Sequence, residues 1–143
     1  MNKYQNSILL LSALGVIDSV YLWIIKLVNK PTLCIQGVGD CWSVNTSKYS
    51  EINGFPISVL GAAAYLLIFL MVCFENRFEL VKRNSPLALF GITLIGVVYS
   101  AYLTYLEIWV LHAICPFCIL SALIMLTLFS LSIIRLKNDQ ASI

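Results

Sequence analysis

Residues 113–134 read AICPFCILSALIMLTLFSLSII, and this stretch decides both the fold class and the candidate chemistry of the chain. It is long and apolar enough to cross a bilayer as a helix, which takes about 20 residues. Cys115 and Cys118 stand three apart at its beginning, so a helix brings both sulfurs to one face. We expect Cys115 at the cap and Pro116 at the first helical residue, where its missing N–H costs nothing. The dipole of such a helix stabilises a thiolate.

Composition places the whole chain in the membrane class. Its 143 residues are 60% hydrophobic and 11% charged, whereas soluble domains average roughly 45–50% and about 25%. Four apolar runs are long enough to span a bilayer, and inside hydrocarbon such runs must be helices. We therefore predict a single all-α membrane domain, a four-helix bundle with a long extracytoplasmic loop between the first two helices. The predicted spans are 7–28, 56–74, 86–106 and 113–134.

The distribution of basic residues predicts the orientation. Four spans place both termini on one side, and six of the nine Lys and Arg residues fall on that side: Lys3, Arg77, Lys82, Arg83, Arg135 and Lys137. Basic residues mark the cytoplasmic side. We expect a multi-pass protein of the cell membrane with cytoplasmic termini, surrounded by membrane lipid. The net charge of +2 is too small and too dispersed to indicate a nucleic-acid partner.

This orientation sorts the five cysteines. Cys34 and Cys41 in the first loop fall on the extracytoplasmic side together with Cys115 and Cys118, and disulfides persist on that side. Cys73 falls at the opposite end of the second span. We expect Cys73 to be a buried packing residue, because a free cysteine behaves as a small hydrophobe.

Two cysteine pairs on one membrane face leave three interpretations open. Thiol exchange between a pair in a loop and a pair fixed on a helix is favoured. Structural disulfides would instead make the chain a non-enzymatic membrane protein. Four thiolates could also bind zinc, but six residues separate Cys34 from Cys41, more than the usual two to four, and an oxidising compartment disfavours free thiols. We predict no metal site.

Three segments together carry a resemblance to a known family. Cys34 and Cys41 are followed by Ser47, then by GFPISVLG at 54–61, and finally by CPFC at 115–118. This ordered set resembles the vitamin K epoxide reductase family, specifically its short prokaryotic members. The DsbB-like quinone-linked oxidases are the alternative, but they place the C-x-x-C in the first external loop and the spaced pair in the second, which is the reverse order.

The resemblance implies a quinone-dependent thiol oxidoreductase that supports disulfide formation in exported proteins. Cys34 would exchange with a thioredoxin-fold, DsbA-like partner acting in trans. Cys41 would pass electrons to Cys115, and Cys118 would face a quinone such as ubiquinone or menaquinone. Ser47 matches a hydrogen-bonding serine or threonine of the family, although it could also cap a short interfacial helix.

Two departures from the family pattern bear on the substrate. Members that act on vitamin K epoxide carry an asparagine just before the second helix and a tyrosine four residues after the C-x-x-C, where this chain has Ile57 and Ala122. We therefore do not expect epoxide reduction, and the polar anchors of the quinone stay unassigned. Asp18 lies mid-span, where a carboxylate is a functional candidate. Glu107 and His112 lie near the C-x-x-C, outside the predicted catalytic set.

The predicted orientation can be tested by sided thiol labelling of intact cells. After reduction, a membrane-impermeant maleimide added from outside should modify Cys34 and Cys41 and leave Cys73 unmodified, because the loop pair lies on the outer side and Cys73 at the opposite end of its span. Single-cysteine variants read by mass shift give the measurement. Modification of Cys73 alone would show that the orientation is opposite to the predicted one.

Overall fold

The computed structural model describes residues 3–28, 48, 51–110, 112 and 115–141. In these ranges the chain forms four long helices: α1 (Lys3–Val28), α2 (Ile57–Phe74), α3 (Glu79–Tyr105) and α4 (Pro116–Ala141). A π-helical segment (Leu106–Val110) continues α3, and two short strands, β1 (Glu51–Ile52) and β2 (Phe55–Pro56), precede α2. All four helices are long and apolar enough to cross a membrane. The predicted four-helix membrane bundle is confirmed.

Local sequence determines where the helices begin. Pro56 precedes α2 in an extended conformation (φ −61°, ψ 137°), and Phe78 precedes α3 in a similar one (φ −128°, ψ 118°). The third helix starts at Glu79 rather than at the predicted Pro86, because the polar residues ahead of this proline extend the helix beyond its apolar run. For the same reason α4 continues to Ala141, past the end of the predicted span.

A tight hairpin leads into α2. Asn53 and Gly54 both have positive φ, 51° and 86°, as a two-residue turn between antiparallel strands requires. Glu51 of β1 lies opposite Pro56 of β2. The Glu51 carboxylate also pairs with Lys26 Nζ at 2.9 Å, so the hairpin is attached to the end of α1.

The helices pack as two close pairs. Contacts between α1 and α2 and between α3 and α4 are extensive and α1 also packs on α4, whereas α2 and α3 touch sparingly. The half of the bundle nearer the chain termini is filled by a core of Ile8, Tyr65, Ile68, Val72, Leu89, Ile124, Met125 and Leu128. A smaller cluster at the other end consists of Leu22, Ile25 and Cys115. The sparse contact between α2 and α3 leaves room for a cavity.

The structure corrects the prediction for Cys73. The second helix buries a single stripe, Tyr65, Ile68 and Val72, at helical spacing. Cys73 follows this stripe by one residue, which in an α-helix is a rotation of about 100°, and its side chain is exposed on the outer face of the bundle. The prediction that Cys73 is a buried packing residue was therefore wrong.

Polar contacts tie the helices together at the end opposite the hairpin. Arg135 of α4 forms a buried ion pair with Glu75, directly after α2. Gln5 of α1 donates from Nε2 to the carbonyl of Val72 at 3.2 Å. These bonds join α1, α2 and α4 where the apolar core ends.

Close approach of α1 and α2 depends on Gly15. A Cβ on this residue would overlap the Tyr65 ring, with Cγ only 2.6 Å away, and the ring is held because its hydroxyl donates to the Ser121 carbonyl at 2.8 Å. We expect Gly15→Ala to lower the free energy of unfolding by about 1–3 kcal/mol, the usual cost of overpacking. Reversible unfolding in mixed micelles gives the measurement.

Gly91→Ala is the matched control. A Cβ there meets no atom within 4 Å, and alanine is favoured over glycine in a helix by about 1 kcal/mol. This variant should be as stable as the parent or more so. Equal destabilisation by both substitutions would contradict the close packing of α1 on Tyr65.

Candidate functional site

Cys115 caps α4 with its own sulfur. The helix begins at Pro116, as predicted, and the Cys115 carbonyl accepts the N–H of Ile119 at 3.1 Å. The Cys115 Sγ accepts the backbone N–H of Cys118 at 3.3 Å. A side-chain acceptor for an amide of the first turn is the usual capping interaction. The sulfur therefore lies against the amide groups of the helix N-terminus.

These hydrogen bonds favour the thiolate of Cys115. The side chain of Cys118 hydrogen-bonds to it, and the backbone amides of Cys118 and Phe117 add to the effect, while burial and the nearby Glu107 carboxylate oppose it. On balance the pKa of the Cys115 thiol is lowered from its ordinary value. A thiolate is the form that exchanges with disulfides.

The two sulfurs face different surroundings. The side chain of Cys115 is 0% exposed and packs against Leu22 and Ile25 of α1. Cys118 lies one helical turn further into the bundle and lines a cavity. Cys115 is therefore shielded from the cavity, whereas Cys118 is open to it. The two cysteines can have different roles.

The cavity occupies the gap between α2 and α3. Its volume is about 420 Å³, within the range of about 300–1,000 Å³ typical of small-molecule sites. Most of its wall is apolar, which suits a hydrophobic ligand. The polar or sulfur-bearing side chains along it are Ser19, Ser58, Tyr65, Tyr99, Ser100, Thr104, Glu107, Cys118, Ser121 and Met125.

Ser58 and Tyr65 present contrasting hydroxyls to this cavity. Tyr65 is hydrogen-bonded to both the carbonyl and the hydroxyl of Ser121, at 2.8 and 2.9 Å. The Ser58 hydroxyl is buried and has no hydrogen-bond partner among the described residues. Buried hydroxyls normally have partners, so the Ser58 hydroxyl is a polar group beside the cavity that the described residues leave unsatisfied.

Glu107 is the functional candidate that sequence reasoning left outside the catalytic set. Its side chain is 3% exposed and lines the cavity. Glu107 Oε2 accepts the backbone N–H of Cys115 at 3.3 Å, and the carboxylate lies within reach of the Cys118 thiol. One carboxylate thus contacts both residues of the C-x-x-C pair. The sequence feature that could have identified Glu107 is its position as a lone carboxylate in an apolar run close to the cysteines.

The other sequence candidates among the described residues do not line the cavity. Asp18 is buried on α1, and its Oδ2 has no hydrogen-bond partner among the described residues, but it is not among the cavity-lining residues. His112 is exposed and has a left-handed backbone, φ 50°. Within the ranges that the structure describes, no cluster of three metal-ligating side chains occurs.

The predicted loop residues Cys34, Cys41 and Ser47 lie outside the described residues. The chain enters their segment after Val28 and leaves it at Glu51. Both of these points belong to the end of the bundle that holds Cys115, because Leu22 and Ile25 of α1 pack on this cysteine.

Comparison with known proteins gives two matches. The model of the Vitamin K epoxide reductase family matches residues 6–133. The chain is also similar to the thiol-disulfide oxidoreductase LTO1 of Arabidopsis thaliana, with 30% identity over 129 residues, covering 87% of this chain and 34% of the relative. The chain thus spans about a third of the length of that relative.

The lowered pKa of Cys115 can be tested by ultraviolet titration of thiolate absorbance, with Cys34, Cys41 and Cys73 replaced by serine. The first thiolate should appear below pH ~8.5, the ordinary value for cysteine. Cys118→Ala should move this step to higher pH, because the hydrogen bond from the Cys118 side chain is the largest cause of the shift. Cys118→Ser, which keeps a donor, should move it less. An unchanged midpoint in Cys118→Ala would contradict the assignment.

Proposed function

Because this chain belongs to the vitamin K epoxide reductase family, we propose that it is a membrane thiol:quinone oxidoreductase that oxidises the dithiol of a partner protein. The observation that carries the proposal is the position of Cys118, which lines an apolar cavity inside the bundle next to the thiolate-favouring cap at Cys115. Quinones are hydrophobic and dissolve in the bilayer, so the cavity suits their ring.

The proposed electron path runs from the loop pair to the helix pair. Cys34 exchanges with the partner, Cys41 passes the electrons to Cys115, and Cys118 delivers them to the quinone. The thiolate-favouring surroundings of Cys115 support its role as the acceptor of exchange. The attachment of both ends of segment 29–50 near this cysteine supports the reach of the loop pair.

The quinone would enter the cavity from the lipid. Leu60 of α2 and Ile95 of α3 line the cavity and are 46% and 73% exposed on the outer surface of the bundle, so the gap between these helices faces the hydrocarbon. The unpartnered hydroxyl of Ser58 can donate to a quinone carbonyl. The apolar Ile57 lines the cavity where epoxide-reducing members carry an asparagine, which favours a quinone such as ubiquinone or menaquinone over an epoxide.

The partner and the orientation complete the proposal. The dithiol substrate would be a thioredoxin-fold, DsbA-like protein acting in trans on the extracytoplasmic side, with both termini of this chain in the cytoplasm. The oxidised partner would then introduce disulfides into exported proteins. The name of the Arabidopsis relative, thiol-disulfide oxidoreductase, supports the exchange chemistry.

Removal of the cavity-facing sulfur tests this function. Purified protein in detergent, supplied with a reduced DsbA-like protein and ubiquinone or menaquinone, should form quinol and oxidise the partner. Cys118→Ala should reduce quinol formation to the uncatalysed rate, because Cys115 alone cannot form the disulfide that releases two electrons. Quinone absorbance gives the rate.

Cys73→Ala is the matched control for this experiment. Cys73 is exposed on the outer face of α2, close to the end of the helix that lies away from Cys115, so this variant should retain the full rate. Quinol production by Cys118→Ala at the rate of the parent protein would refute the proposed function.

A further inference from the structure

Glu107 is a buried acid placed where the proposed reaction must move protons. Its carboxylate accepts the backbone N–H of Cys115 at 3.3 Å, lies within reach of the Cys118 thiol and lines the cavity. Glu107 therefore lies beside the cysteine sulfur that faces the cavity and also forms part of the cavity wall.

An ion pair does not account for the buried carboxylate of Glu107. The ion pairs found among the described residues join Lys26 to Glu51 and Arg135 to Glu75, and neither involves Glu107. Burying an ionised carboxylate without a cation is costly. Both of its hydrogen-bond partners belong to the C-x-x-C pair, so the carboxylate is adapted to the redox pair rather than to helix packing.

The proton balance of the reaction requires a carrier at this place. When Cys115 reacts as the thiolate, the S–H bond of Cys118 breaks, one S–S bond forms, and the quinone gains two electrons and two O–H bonds, with one of the two protons taken from water. The Cys118 proton must leave its sulfur and reach a quinone oxygen inside an apolar cavity. Cys118 is the sulfur that faces the ligand, so its proton has the shortest route to a group that also reaches the cavity.

We propose that Glu107 is a catalytic residue, the general base that takes the proton of the Cys118 thiol and the general acid that returns it to a quinone oxygen. The carboxylate is regenerated in each transfer, so it is neither oxidised nor reduced. Cys115 reacts as the thiolate, so the second proton of the quinol is taken up from water. This inference rests on the proposed quinone reaction and adds the route of the proton to it.

The other nearby acids do not fit this role. Asp18 is buried on α1 but is not among the residues that line the cavity, and His112 is exposed at the end of the bundle. Tyr65 and Tyr99 line the cavity, but phenols are ordinarily too weakly acidic to protonate a quinone oxygen at neutral pH. Among the acidic residues that the structure describes, Glu107 is the one that combines a position beside Cys118 with access to the ligand.

Glu107→Gln tests the proposal because it keeps the shape of the side chain and an oxygen that accepts the Cys115 N–H, but cannot carry the proton. The fully reduced variant should transfer electrons to quinone in a single turnover at least about 100-fold more slowly than the parent, the usual contribution of general acid–base catalysis. Its exchange with the reduced or oxidised DsbA-like partner, measured separately, should remain within a factor of about three.

The pH profile separates proton transfer from a structural role. The titratable groups around the Cys118 sulfur are Cys115, Glu107 and Asp18. In Glu107→Gln the rate of quinone reduction should rise about tenfold per pH unit between pH 7 and 9, because bulk base must then remove the thiol proton. The parent rate should change much less. A variant whose partner exchange and quinone reduction fall together at every pH would show a structural role and overturn the proposal.

Glu79→Gln is the matched control, because Glu79 is an exposed glutamate at the other end of the same helix. This variant should leave both half-reactions unchanged.

A Glu107→Gln variant that reduces quinone at the parent rate also overturns the proposal. If the parent protein itself does not reduce quinone, the proposed function fails first, and that outcome is distinguishable from loss in the variant alone.

Discussion

The N-terminus of α4 is held by two backbone amides that have no partner within the helix. The N–H of Cys118 donates to the Cys115 sulfur, and the N–H of Cys115 donates to Glu107. Amides of a first helical turn must find partners outside the helix, and leaving them buried without one is costly. A cysteine sulfur and a carboxylate fill this structural need. The geometry of the redox pair is therefore fixed by the same bonds that begin the helix.

The cavity follows from where the helices can approach one another closely. In a membrane, helix association depends on close packing rather than on exclusion of water. A Cβ on Gly15 would overlap the Tyr65 ring, one on Gly61 would lie 3.2 Å from Ser19 Oγ, and one on Gly96 would overlap the flexible Met125. These contacts join α1 to α2 and α3 to α4. Gly91 of α3 has no such neighbour, and between α2 and α3 the space stays open beside Cys118.

Sequence reasoning predicted the features that depend on composition and short-range pattern. Span length gave the four helices, and the order cysteine, proline, phenylalanine, cysteine gave the cap at Cys115. It failed at Cys73, where one residue along the helix separates a buried face from an exposed one. It left Glu107 out of the site because the predicted third span ends at Leu106, and nothing in the pattern shows that the next residue is buried beside the cysteines. The structure places Glu107 in a π-helical turn, Leu106–Val110, where it is buried.

The glutamate that lies beside the cysteines belongs to the π-helical segment. Leu106 and Glu107 open this segment and are both buried. Wider turns of this kind are rare and are often found at functional sites. Of the two groups beside this carboxylate, the Cys118 thiol loses its proton when Cys118 enters a disulfide, whereas the Cys115 N–H remains. In the proposed reaction, the proton leaves Cys118 through Glu107 as the disulfide forms, which couples proton movement to electron transfer.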